Sequence, residues 1–281
     1  MRRWFKRLLI FGIIVVVVSL LASLLARIPV GERVAVIKVK GAIIDPEPVV
    51  SKVQSVKEDK SVKALVLRVD SPGGSVGASQ EIYRALEDFK STGKPLVVSM
   101  GNVAASGGYY ISAPADLIYA NPGTITGSIG VIVQHTELKE LLERFGIKTT
   151  AIKTGKFKDT LSPFRELTAE EREYLQKTIE DAYEQFLQAI LKYRSKKISE
   201  EKLRQLADGR VFTGRQAKEL GLVDELGNLQ DAINKAKELA KAPEARVFYL
   251  EEKKGFLKRL FEDDFKGIVG DYPLMLYYIM K

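Results

Sequence analysis

From residue 34 onward, apolar positions alternate between short two-residue periods and longer helical ones. Val34, Val36 and Val39 interleave with Ala35, Ile37 and Lys38, the pattern of a first strand over 34–39. A helix is expected over 47–57, starting near Pro46. Residues 63–69 are almost wholly apolar, as in a strand covered on both faces. Residues 77–90 follow the helical period through Ile82, Leu86 and Phe89, and Gly93-Lys94-Pro95 ends that helix. The apolar run 95–100 predicts the next buried strand. Further strands are expected at 117–120, 129–133 and 148–152, with an amphipathic helix at 136–145.

The second half reads as helices. Thr168-Ala-Glu-Glu171 opens a long run to residue 197 in a capping-box pattern. Its apolar positions Leu175, Ile179, Tyr183, Phe186, Ile190 and Tyr193 recur at threes and fours, so one face is buried on the sheet or on a neighbouring subunit. Shorter helices follow at 199–207, 213–220 (stopped by Gly221) and 229–240. Strands alternating with helices over this length argue for a parallel α/β architecture, and no internal repeat is visible.

The two ends depart from this pattern. Residues 8–26 are 19 positions without a charge, long enough to span a bilayer. Four basic residues precede them and only Arg27 and Arg33 follow closely, which predicts a cytoplasmic N-terminus with the bulk of the chain outside. A cleaved signal peptide fits less well, because the apolar run is long and Leu24-Leu25-Ala26-Arg27 is a poor cleavage site. The expected division is a basic flank and anchor at 1–28, an α/β domain at 29–242 and a basic, apolar tail at 243–281. The segment 272–280 is apolar and aromatic, too short to span a bilayer, and hydrophobic enough to mimic a substrate by folding back into a pocket.

Charge changes this picture little. The chain has 44 basic and 36 acidic residues, a net +8. Five of the basic residues lie in 1–30 with no acid, leaving +3 for the rest. The excess sits on a membrane flank and does not indicate nucleic acid. The absence of cysteine removes any disulfide framework.

The candidate chemistry sits where buried strands empty into glycine loops. Residues 101–112 read Gly-Asn-Val-Ala-Ala-Ser-Gly-Gly-Tyr-Tyr-Ile-Ser, expected as a turn of small residues leading into a helix. Ser106 in that turn has only Ala104, Ala105, Gly107 and Gly108 around it, and a helix N-terminus offers free N–H groups to a developing oxyanion. Alone, the same stretch fits a serine N-cap. Upstream, 65–70 is a second buried strand ending in Ser71-Pro72-Gly73-Gly74-Ser75. Two such units can set two groups of donors around one point.

A serine nucleophile needs a base. The single histidine, His135, lies at a strand end entering a helix and fits a surface or capping role. Lys153, Lys156 and Lys158 lie together in 152–159. A lysine at its ordinary pKa of about 10.4 is protonated at neutral pH, so a basic lysine requires desolvation or nearby positive charge. These residues alone do not choose among the three.

The joint pattern is similar to a known family. Asp70-Ser-Pro-Gly-Gly-Ser75, Asn102-Val-Ala-Ala-Ser-Gly-Gly-Tyr-Tyr110, Thr126-Gly-Ser-Ile-Gly130, Lys156-Phe-Lys-Asp159, Ser162-Pro-Phe-Arg165 and Gly221-Leu-Val-Asp224 resemble the signal peptide peptidase family of SppA type, in its short single-repeat form. The likeness spans roughly residues 32 to 240. It implies a crotonase/Clp-like spiral of strand–strand–helix units and a serine endopeptidase without cofactor or metal. It also implies Ser106 as nucleophile, Lys158 as general base and Ser128 as the hydroxyl that orients the lysine. Gly73, Gly74 and Gly107 match the oxyanion-hole positions, with the Gly73 and Gly107 N–H groups preferred as donors. Asp159 is given no chemical role. Short members assemble as homo-oligomeric rings with serine and lysine from adjacent subunits, and act on cleaved signal peptides and other short or unfolded chains. Two other functions compete. One is a regulatory membrane protease of the stomatin-associated type. The other is a crotonase-like acyl-CoA enzyme, for which no acidic pair stands at the loops.

Overall fold

The protein is described here by a computed structural model covering residue 4 and residues 11–19, 31–250 and 277–279. Its frame is one mostly parallel sheet. Arg33–Lys40 (β1) pairs in parallel with Val62–Ser71 (β2), and β2 pairs in parallel with Leu96–Ala105 (β4). On the far side of β1 lies Arg246–Leu250 (β9), also parallel, so the sheet continues past residue 243.

The strands are apolar because both faces are covered. Ala35, Ile37, Val39, Leu65 and Leu67 face a core shared with the helices Glu47–Glu58 (α1), Val76–Lys90 (α2) and Ala169–Arg194 (α5). Val34, Val36, Ala64 and Val66 face the other way, onto Ala232, Ile233 and Ala236 of Leu229–Leu239 (α8). The two-residue alternation of β1 is therefore a division between two cores, not between core and water.

β4 is long enough to serve two partners on its outer side. Val97–Ser99 pair with Leu117–Ala120 (β5), whereas Val103–Ala105 pair with Ile125–Gly127 (β6). The sheet forks between them, and Asp70 holds the fork by accepting from Asn102 N and Val103 N at 3.1 and 3.2 Å. Only glycine fits at 101, since a Cβ there would stand 2.8 Å from the Asp70 carboxyl carbon. Val211–Thr213 (β7) closes the β6 edge antiparallel, and Glu225–Leu226 (β8) pairs with β5.

Three expectations are corrected. The buried strand does not stop at Met100 but runs through Gly101–Ala105, so Ser106 stands at its very end. Residues 129–133 and 148–152 form no strand, and β7 occupies the free edge of β6. The helix expected at 136–145 shrinks to Lys139–Arg144 (α4), with no buried residue. Leu141, Phe145, Ile147, Ile152 and Phe164 in this segment are exposed on the single chain. The capping box of α5 forms as read, with Thr168 and Glu171 each accepting from the other's backbone N–H.

Of the expected anchor, residues 11–19 are helical and exposed, while 8–10 and 20–26 lie outside the described residues. Among the described residues no helix is long and apolar enough to cross a membrane.

Candidate active site

Ser106 joins the end of β4 to the short helix Gly107–Ser112 (α3). Its backbone adopts φ 53° and ψ −117°, outside the regions an L-residue occupies comfortably. That conformation is held from both sides. Ser106 N–H donates to Gly127 O at 2.8 Å, and Tyr110 N–H donates back to Ser106 O at 2.8 Å. The residue is 1% exposed, and its Oγ has no hydrogen-bond partner among the described residues. A buried hydroxyl left unpaired on a strained strand-to-helix turn is costly, and such features gather at reactive positions.

The second glycine loop closes on this turn. Gly73–Ser75 (β3) leads directly into α2. A Cβ on Gly107 would lie 2.6 Å from Ser79 Oγ and 3.2 Å from both Gly73 Cα and Gly74 N, so the two loops touch backbone to backbone. The first N–H groups of α3 have no intrahelical acceptor. Gly73 takes φ 105°, which only glycine adopts freely, and its N–H donates to Ser71 Oγ at 3.1 Å. Ile43 N–H donates to Gly73 O and Ser75 N–H donates to Ile43 O, each at 2.8 Å, which turns the peptide groups of Gly74 to the opposite edge. On that edge Tyr277–Ile279 (β10) pairs antiparallel with β3, Tyr278 opposite Gly74. These three residues belong to the apolar tail segment 272–280. Residues 272–276 and 280 lie outside the described residues.

Ser128 follows β6 as Ser106 follows β4, and Ala105 pairs with Gly127, so the two serines leave adjacent strands side by side. Ser128 also has a positive φ, 49°, is buried, and donates its N–H to Arg210 O at 2.8 Å. Beside it opens a cleft of about 730 Å³ lined by Val131, Ile179, Tyr183 and Val211, with Glu180 and Arg210 also lining it.

Lys158 is not brought to Ser106 within one chain. It is exposed, in a run of tight turns between Gly155 and Ser162, and Ser106 Oγ lacks any partner. His135 is not brought there either, and its ring nitrogens have no hydrogen-bond partner among the described residues. Asp159 pairs with Arg165 and Lys153.

Several residues that hold the site were given no role by the sequence, though Tyr109, Tyr110 and Asp224 lie within the motifs quoted above. Tyr109 is buried, its phenol pushed up to about 12 by desolvation, and donates to Leu222 O at 2.8 Å. Tyr110 stacks against Tyr83 and Phe186, with ring centroids 5.1 and 5.0 Å apart, locking α3 between α2 and α5. Arg194, fully buried, donates from Nη1 to Asp224 Oδ2 at 2.6 Å, and the same oxygen accepts from Ile118 N. The Gly-Leu-Val-Asp motif is thus a brace for α3 and β5.

Known proteins bear on this arrangement. The profile of peptidase family S49 matches residues 88–243, and that of Clp protease matches residues 34–122. A protease-designated protein of Synechocystis is 44% identical over 236 residues, covering 83% of this chain and 84% of its own length. Protease 4 of Salmonella typhi is 39% identical over 79% of this chain but only 37% of its own, and the chloroplastic serine protease SPPA of Arabidopsis thaliana is 39% identical over 72% and 30%. In fold alone, a mutant of the membrane-bound stomatin-specific protease 1510-N superposes with a TM-score of 0.52 at 16% identity, covering 80% of this chain and 100% of that one. The α/β, Clp-like fold and these matches place the chain in peptidase family S49, the serine endopeptidases of SppA type.

Proposed function

We propose that the chain is a membrane-anchored Ser–Lys endopeptidase that degrades cleaved signal peptides and other short or unfolded polypeptides. The observation that carries this reading is Ser106: buried, unpaired at Oγ, strained in backbone, and packed against Gly107, Gly73 and Gly74. In this mechanism Ser106 Oγ attacks the substrate carbonyl while its proton passes to a neutral Lys158 Nζ. The tetrahedral oxyanion is held by the N–H groups of Gly107 and Gly73, with Gly74 beside them in the same loop. Collapse breaks the C–N bond, the ammonium of Lys158 returns the proton to the leaving amine, and water then hydrolyses the acyl-enzyme. Ser128, one strand over from Ser106, orients the lysine.

Lys158 is exposed on the single chain, and so are apolar residues around it. Both features support a homo-oligomeric ring in which this lysine serves a neighbour's serine. Two consecutive strand–loop–helix units, β2–β3–α2 and β4–α3, support the crotonase/Clp-like spiral. The uncharged run at 8–26 behind four basic residues supports a single-pass anchor with the peptidase domain outside the cytoplasm.

The test is covalent labelling with a serine-directed phosphonate followed by mapping of the modified residue, together with peptide hydrolysis. Ser106→Ala and Lys158→Ala are each expected to abolish turnover, and His135→Ala to retain most of it. Turnover that survives Lys158→Ala but not His135→Ala refutes the dyad.

A further inference from the structure

The turn that bears Lys158 has little core of its own; it meets α5 through the Phe157–Tyr174 ring contact, the Lys156–Glu170 ion pair and, most densely bonded, Arg165. Arg165 lies between two carboxylates. Its Nε and Nη2 donate to Asp159 Oδ2 and Oδ1 at 2.9 and 2.7 Å, a bidentate fork. The same guanidinium reaches Glu171, Nη1 to Oε2 at 2.8 Å and Nη2 to Oε1 at 2.5 Å. Nη2 also donates to Asp159 O at 3.1 Å. Glu171 is buried in the first turn of α5, where it accepts from Thr168 N at 3.0 Å and from Thr160 Oγ1 at 3.1 Å. Asp159 further pairs with Lys153, whose ammonium donates to Lys156 O at 3.0 Å. One planar cation therefore joins residue 159, adjacent to Lys158, to a rigid, capped helix.

The arrangement has an electrostatic consequence as well as a mechanical one. An unpaired carboxylate one residue from a lysine favours its ammonium form, which cannot accept a proton. Arg165 is permanently charged and takes both oxygens of Asp159, and together with the Lys153 ammonium it leaves that carboxylate neutralised. The other charges around the turn are also matched: Lys156 pairs with Glu170, and Lys139 with Glu166.

We propose that Arg165, gripped by Asp159 and Glu171, is the positioning residue of the base: it pins the Lys158 turn to the start of α5 and keeps the neighbouring carboxylate from pairing with that lysine. This rests on Lys158 being the base. The ammonium–carboxylate pairing it prevents is an alternative available to the chain itself, without any outside ligand.

The test uses the detergent-solubilised full chain, a fluorogenic apolar peptide, and kcat and KM measured from pH 6 to 10. Arg165→Met is expected to lower kcat at pH 7 at least tenfold with KM within twofold, and to move the rise of rate with pH upward by at least half a pH unit. Arg165→Met/Asp159→Asn is expected to bring that midpoint back, because the freed carboxylate is gone, while kcat stays reduced. Arg165→Lys, which cannot grip both acids in two forks, is expected to fall between wild type and Arg165→Met, and it serves as the test if Arg165→Met does not fold. A wild-type pH midpoint in Arg165→Met, or no return in the double variant, overturns the inference; for Arg165→Lys alone, a wild-type profile does so. Lys158→Ala in the same assay separates the two levels. If it is inactive, any failure belongs to Arg165 alone; if it is active, the assignment of the base itself has failed.

Discussion

Gly107 offers the sharpest test of how the two loops build the site. An alanine Cβ there would stand 2.6 Å from Ser79 Oγ, about 0.8 Å inside the 3.4 Å at which ordinary contact begins. Ser79 cannot retreat, being fully buried and donating to Ser75 O at 3.0 Å. Gly73 Cα and Gly74 N, each at 3.2 Å, block the other directions. The strain must be relieved by moving α3 away from β3, at a cost of about 1–3 kcal/mol for an overpacked core. That displacement also separates the donors expected to hold the oxyanion, and loss of one donor lowers kcat by about 10²–10³-fold. Gly107→Ala is therefore expected to lower the urea midpoint and to slow phosphonate labelling of Ser106 by two orders of magnitude or more. Ser79→Ala alone removes one buried hydrogen bond, worth about 1 kcal/mol. Combined with Gly107→Ala it also removes the closest clashing atom, so the pair is expected to be more stable than the sum of the single effects predicts. Its labelling rate is expected to recover only partly, because the backbone contacts at 3.2 Å remain. Labelling of Gly107→Ala at the wild-type rate would refute the idea that these loops share one reacting centre.

Two further expectations follow from the same geometry. Hydrogen bonding to Arg165 holds the Glu171 carboxyl down to about 2, below its ordinary 4.5. Because the folded value is depressed, this stabilisation is complete above about pH 4.5 and is lost as pH falls toward 2, on the order of 2 kcal/mol in all. Urea midpoints followed from pH 7 to 2 are expected to fall less steeply in Glu171→Gln; matching slopes count against the ion pair. At the other edge of the site, β10 covers the side of β3 to which Gly74 presents its peptide groups. Deleting residues 277–281 is expected to raise the initial rate on short peptides by opening that edge, and an unchanged rate with unchanged KM argues that substrates lie elsewhere.

The parallel α/β frame was legible in the chain because its physics is local. Runs such as 63–69 have no polar alternation, which is intelligible only if both faces are covered, and β2 is covered on both. The capping box at Thr168 and Glu171 was equally plain, since four consecutive residues contain all its atoms. Ser106, between a buried strand and two glycines, stood out for the same reason. What the sequence could not reveal depends on residues far apart along it. Which segment would take the free edge of β6 turned on β7, some eighty residues later. The strain at Ser106 arises from Gly127 and Tyr110 holding its two peptide groups, the clash awaiting a side chain at 107 comes from Ser79 and β3, and Arg165 finds its second acid on α5. Periodicity and composition record which faces are buried. Only tertiary packing decides which groups meet there, because each such contact needs two distant segments to arrive together.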